Sequence, residues 1–188
     1  FMIQSGGVKY TGTPSVTPPL VAIPSRAPVI NEATLSNVRG TIAMAKGGSP
    51  NSATNQWFIN FKDNSANLDF QNSGFTVFGE VTGNGMAIVD AIAALEIHTK
   101  FSSPLNELPL RNYVSGLIDD KHLVMVTGIV VLNPSPDTAD ALNPPPSKRL
   151  NNGGNNGGGN NGGGKSSGGS TGTLLIAGLL LLVTARRF

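Results

Sequence analysis

The sequence predicts a mainly β domain carrying one helix, followed by a low-complexity linker and a short apolar C-terminal helix. Three observations predict it. Short apolar runs bounded by turn residues recur through the first 132 positions. A single segment shows helical spacing. The composition then changes abruptly, first to Pro-rich and then to Asn/Gly-rich sequence.

The elements follow in chain order. Phe1-Met2-Ile3-Gln4 is an apolar strand-like run. A chain that starts inside such a run reads as truncated, because processing sites rarely fall within a strand. From residue 5 to 28, Gly6-Gly7, Pro18-Pro19, Pro24 and Pro28 rule out a helix and leave a long loop with short extended pieces. Gly40–Ala45 is a short apolar run between turn residues, the mark of a buried strand. Gln56–Asn60 is rich in aromatic and β-branched residues, and Phe75–Val81 alternates; both read as strands. Met86, Val89, Ile92 and Leu95 fall three apart and form the stripe of one core-facing helix, opened by Asn84-Gly85. His122–Leu132 reads as a long final strand with Gly128 at a bulge.

Residues 133–172 are different in kind. Five prolines lie between Asn133 and Pro146, and an Asn/Gly run fills 151–164. This composition cannot bury enough apolar surface to offset chain entropy, so it reads as a semi-rigid and then a flexible, disordered spacer. Residues 173–188 begin with 13 uncharged residues, Thr173 to Ala185, and end in Arg186-Arg187-Phe188. As a helix the apolar run reaches roughly 20 Å, short of a ~30 Å hydrocarbon core. The Gly-rich spacer before it and the basic pair after it favour a membrane segment with its C-terminus in the cytoplasm. The tail resembles bacterial C-terminal sorting signals. Three zones result: 1–132, 133–172 and 173–188.

Charge divides along the same line. Residues 1–147 hold eight Lys and Arg against eleven Asp and Glu, a net of −3. Residues 148–188 hold five basic residues and no acid, a net of +5. The basicity is therefore in the tail, and the domain lacks the footprint of nucleic-acid binding. Cysteine is absent, which removes thiolate nucleophiles, disulfides and Cys-based zinc sites. The two histidines, His98 and His122, stand in no metal-binding spacing. Ser5-Gly6-Gly7 is not a nucleophile elbow, and Gly83-Asn84-Gly85 is better read as a tight turn than as a nucleotide loop. Asp119-Asp120 reads as a solvated turn.

One chemistry needs none of these groups. Rotation about a peptide bond is slowed by a barrier of about 18–20 kcal/mol from C–N double-bond character. For X–Pro the two isomers are close in energy but exchange slowly. A catalyst needs an apolar pocket for proline, amides to hold the flanking backbone and a donor near the prolyl nitrogen. No cofactor is required.

The residues that fit this description occur in ordered blocks. Phe1-Met2-Ile3-Gln4 with Gly6-Gly7, Arg39–Ala45, Asn51–Ile59, Asp63-Asn64 through Leu68-Asp69, Phe75–Val81 and Gly85-Met86 to Val89-Asp90 resemble successive blocks of the cyclophilin family. The resemblance covers residues 1 to about 132. It implies a cyclophilin-like antiparallel β-barrel with a capping helix. That barrel would be incomplete, with the family's first strands and first helix missing. It also implies peptidyl-prolyl cis/trans isomerase activity on proline-containing polypeptides, without cofactor or metal, as a monomer. Phe1, Met2, Phe58 and Leu68 would line the proline pocket. Gln4 and Gln56 would hold the substrate backbone, and Ala45 with the backbone of Lys46 would contact the residues before proline.

The sequence also departs from the family pattern. Lys46 replaces a common Asn, Asn67 stands where many members carry an aromatic residue, and Phe75 stands where many carry His or Tyr; the last two border the pocket rim. Ser5 replaces the first glycine after Gln4. The family's key arginine belongs to a strand before Phe1, and neither Arg26 nor Arg39 takes its place. The resemblance thus implies that the parent product is an active isomerase, whereas residues 1–132 alone are poorly stable and nearly inactive. The tail implies an exported bacterial protein, periplasmic or at the cell surface, that assists the folding of exported proteins. A non-catalytic proline-peptide-binding or surface-display module is the alternative reading. A purely structural membrane-anchored protein ranks below both.

Overall fold

The computed structural model describes residues 1–99, 101–103, 105–132 and 144–151. Its centre is a four-stranded antiparallel sheet in the order β1-β5-β4-β6, formed by Met2–Ser5 (β1), Thr41–Met44 (β4), Trp57–Asn60 (β5) and Val77–Glu80 (β6). Between β1 and β4, Val8–Tyr10 (β2) and Leu20–Ala22 (β3) pair with each other. The helix foreseen from the apolar stripe is Gly85–Ala93 (α2). A single helical turn, Ser65–Leu68 (α1), follows β5. Ile97–His98 (β7) pairs with Leu108–Pro109 (β8). The last described element is the short helix Lys148–Asn151 (α3).

Side chains alternate across a strand, so the register decides what meets what. Gln4 lies opposite Phe58, Phe58 opposite Ala43, and Ala43 opposite Val77. These four form one row on one face. The other face carries Ile3, Ile59 and Ile42, on which α2 sets Val89 and Ile92. A third cluster gathers Leu108, Leu110, Tyr113, Ile118 and Leu123 with residues of β2 and β3. Full burial of a side chain such as Phe58 is worth about 1.5–3 kcal/mol in transfer terms.

Two differences from the sequence reading stand out. The long strand expected over His122–Leu132 does not form. Leu123 bridges Leu110 in isolation, residues 126–132 form no strand, and Ile129 to Leu132 are exposed. A strand exists only where a neighbour takes up its backbone groups, and no strand among the described residues does so there. Accordingly the described strands make an open sheet and not a closed barrel. The second difference lies in the stretch read as a spacer. Residues 144–148 run against the domain, with the Ser36 amide donating to the Pro145 carbonyl at 2.8 Å. The rest of the spacer and the apolar segment at 173–188 lie outside the described residues. Among the described residues no helix is long and apolar enough to cross a membrane.

Candidate functional site

The Gly6-Gly7 pair brings β1 and the start of β5 together. Gly6 has φ +87°, and a Cβ there would lie 2.3 Å from the Asn55 carbonyl oxygen. A Cβ on Gly7 would lie 3.1 Å from the Gln56 carboxamide. Glycine at both positions therefore admits Asn55 and Gln56 against the chain. Asn55 Nδ2 seals the approach by donating to the Gly6 carbonyl at 2.7 Å.

This approach couples two carboxamides. Gln4 Nε2 donates to Gln56 Oε1 at 2.8 Å. Gln4 Oε1 is buried and has no hydrogen-bond partner among the described residues. Buried polar atoms are almost always paired, so an unpaired acceptor beside a cluster of apolar side chains is a place for a donor such as a peptide N–H.

That cluster is the apolar part of the site. Ala43, Ala45, Phe58, Leu68, Phe75 and Val77 are buried together, with Met2 and Leu35 packed on them. Phe58 and Phe75 meet edge to face, with ring centroids 5.8 Å apart. Lys46 closes one side. Its ammonium donates to the Asn72 carbonyl at 2.8 Å and to that of Pro50 at 3.3 Å, and sits 5.0 Å from the centre of the Phe75 ring. Burial pushes its pKa below the ordinary lysine value, and the nearby Arg149 cation adds to this. Asn72 returns the contact by donating from Nδ2 to the Gly47 carbonyl at 2.7 Å.

A buried polar network fixes the other side. The Asp69 carboxylate accepts from Ser36 Oγ at 2.6 Å, from the Asn37 amide at 2.8 Å and from Asn37 Nδ2 at 3.3 Å. Asn60 Nδ2 reaches Asn37 Oδ1 at 3.2 Å, and Asn64 Nδ2 reaches Asn60 Oδ1 at 2.6 Å and the Phe1 carbonyl at 2.8 Å. The network ties the Leu68-Asp69 wall to β5 and to the beginning of β1.

Of the residues singled out from sequence, Met2, Gln4, Ala45, Lys46, Gln56, Phe58, Leu68 and Phe75 are brought together. Phe1 and Asn67 are not: both are exposed, Phe1 ahead of the first paired residue of β1 and Asn67 on the outer side of α1. Sequence reasoning passed over Leu35 and Asn72, and quoted Asp69 in a block without giving it a role. Leu35 is an apolar residue in the polar stretch 31–37, which is the one signal that marks it. Asp69 and Asn72 act through partners about 25 to 33 residues away, which local pattern cannot reveal.

An antiparallel sheet bearing an aromatic-aliphatic cluster beside two coupled carboxamides has the make-up of a site for an extended peptide. Comparison with known proteins narrows the class. Residues 1–114 match the model of the family described as cyclophilin type peptidyl-prolyl cis-trans isomerase/CLD, and the chain belongs to that family. It is 42% identical over 102 residues to a peptidyl-prolyl cis-trans isomerase of Acinetobacter baylyi, covering 53% of this chain and 50% of that one. It is 38% identical over 118 residues to peptidyl-prolyl cis-trans isomerase A of Dickeya dadantii, covering 61% and 56%. It is 41% identical over 98 residues to peptidyl-prolyl cis-trans isomerase B of Escherichia coli, covering 49% and 54%. The chain spans about half the length of these curated relatives.

Proposed function

We propose that the protein is a peptidyl-prolyl cis/trans isomerase acting on proline-containing polypeptides. The prolyl ring packs on Phe58, Met2, Leu68 and Phe75. Gln4 Oε1 accepts a hydrogen bond from the substrate backbone and the Gln56 carboxamide donates one, while Ala45 and Lys46 border the residues before proline. The reaction breaks no covalent bond, and these residues hold the two flanks of the X–Pro bond while the C–N bond rotates. The single observation that carries this reading is the Gln4–Gln56 pair, with its unpaired buried acceptor, set beside the Phe58 cluster.

The finer reading concerns place and clients. Residues 173–188 tether the protein to a membrane, the domain works on the far side as a monomer, and its clients are exported proteins. The uncharged run before Arg186-Arg187 and the basic balance of the tail support this.

Exchange spectroscopy on an Ala-Pro peptide tests the activity. The intact protein accelerates cis/trans exchange, and Phe58→Leu lowers kcat/KM by about tenfold or more, the scale of one misfitted apolar contact. Tight peptide binding without accelerated exchange would assign the site to the binding-module class instead.

A further inference from the structure

The Pro-rich segment after the domain returns to it at the wall of the proline site. Pro144 to Ser147 lies antiparallel to Thr34–Ser36. The Ser36 amide donates to the Pro145 carbonyl at 2.8 Å, and the Ser147 amide donates to the Thr34 carbonyl at 2.9 Å. Leu35 sits opposite Pro146 between them. One residue on, the Lys148 amide donates to Asp69 Oδ2 at 2.9 Å. Ser147 is fully buried, while Pro145 and Pro146 are exposed. The segment is therefore held by its backbone and inserts no proline ring into the cluster.

The anchor points matter because of what adjoins them. Leu35, between the first two hydrogen bonds, packs on the Phe58 cluster. Asp69, at the third, directly follows Leu68, which is a wall of that cluster. With the segment docked, Phe58, Leu68 and Phe75 are 0%, 1% and 2% exposed. The surfaces that a prolyl ring would touch are thus closed. Arg149, the next residue, adds a positive charge near the already disfavoured Lys46 ammonium. Opening the cluster requires the Leu35 and Leu68 sides to part, and residues 144–148 are bonded to both.

We propose that residues 144–148 are an autoinhibitory strap: docked, they hold the Leu35 and Leu68 sides of the proline site closed, and released, they open it to X–Pro peptides. The substrate rests on the isomerase reading; the closure rests on the strap geometry alone.

The test is the double variant Ser147→Pro/Lys148→Pro in the intact protein. It removes both amides that the strap donates and leaves Leu35, Asp69 and the cluster unchanged. Proline is tolerated at the first position of a helix, so α3 is not the target. Hydrogen exchange and the turnover of an Ala-Pro peptide are measured on both proteins, with unchanged protection of α2 showing that the domain remains folded. Exchange over 34–36 and 66–76 quickens in the variant, and kcat/KM rises about tenfold, the scale of one or two lost hydrogen bonds. Faster exchange over 34–36 with full protection kept over 66–76 overturns the proposal. So does equal exchange of the Ser36 amide in both proteins, because the strap would then not be docked. Opening of 66–76 with unchanged turnover overturns autoinhibition. Opening of 66–76 with no isomerisation by either protein upholds the strap as a closing device, and it is the isomerase reading that falls.

Discussion

Gln4 Nε2 donates to Gln56 Oε1 at 2.8 Å, and this one bond leaves Gln4 Oε1 buried with no partner among the described residues. Two carboxamides that satisfy each other only in part leave an acceptor open to a further donor. The pair also has a structural cost when broken on one side only. Gln56→Ala strands the buried Gln4 donor and is expected to lower stability by about 1–3 kcal/mol. Replacing both residues by leucine is expected to be milder than the single truncation, because no polar group is then left unpaired. Urea denaturation of the three proteins checks the order.

Phe75 stands edge-on to Phe58 and beneath the Lys46 ammonium. Phe75→Ala removes a buried ring together with the seat of Lys46. Truncations of this kind cost about 3–5 kcal/mol. Phe75→Tyr keeps the ring, and its added hydroxyl sits within the apolar cluster, so the expected stability lies between the two. Thermal melts of the three proteins report the sequence Phe, Tyr, Ala.

Gly6 occupies a backbone position that other residues rarely adopt, with the Asn55 carbonyl 2.3 Å from the place of its missing Cβ. Gly6→Ala must move β1 away from the start of β5, which separates Gln4 from Gln56. The expected loss exceeds the ~1–2 kcal/mol of left-handed backbone strain alone, because a clash adds to it. Nitrogen-detected shifts of the two carboxamide groups would move together in this variant if the coupling is as described.

Arg39 donates to both oxygens of Asp90, at 2.9 and 2.7 Å, and joins β4's approach to α2. The Arg39 hydrogen bonds hold the Asp90 carboxyl below its ordinary range. Its folded pKa is lower than its unfolded one. The contribution is therefore present above the unfolded value and is lost as pH falls through the folded value. Asp90→Asn is expected to melt below the parent near neutral pH, with the gap closing in acid. Both side chains are about half exposed, so the gap also narrows with salt.

Much of the central sheet was legible because it is written in local pattern. The runs read at 1–4, 40–45, 56–60 and 75–81 are short and rich in strand formers, and the strands form within a residue or two of them, at 2–5, 41–44, 57–60 and 77–80. Helix α2 showed through the spacing of Met86, Val89 and Ile92. Pattern also misled, since His122 to Leu132 has the composition of a strand but along most of its length pairs with no strand among the described residues. The turn α1 and the pair β7–β8 are too short for periodicity to mark. At the site, the ordered motifs named Gln4, Gln56 and Phe58, which the structure brings together, and also Phe1 and Asn67, which it leaves exposed. The strap could not be read at all. Its composition argues for a spacer, and it docks through backbone amides and through Asp69, which is 79 residues from Lys148.

The most direct measurement is a titration of the nitrogen-15-labelled intact protein with an Ala-Pro peptide, following the side-chain amide signals of its glutamines. Gln4 and Gln56 are expected to shift saturably together, with exchange cross-peaks of the peptide appearing at the same concentrations. Exchange that proceeds with the Gln4 and Gln56 signals unmoved would contradict the account and place the isomerase site elsewhere on the molecule.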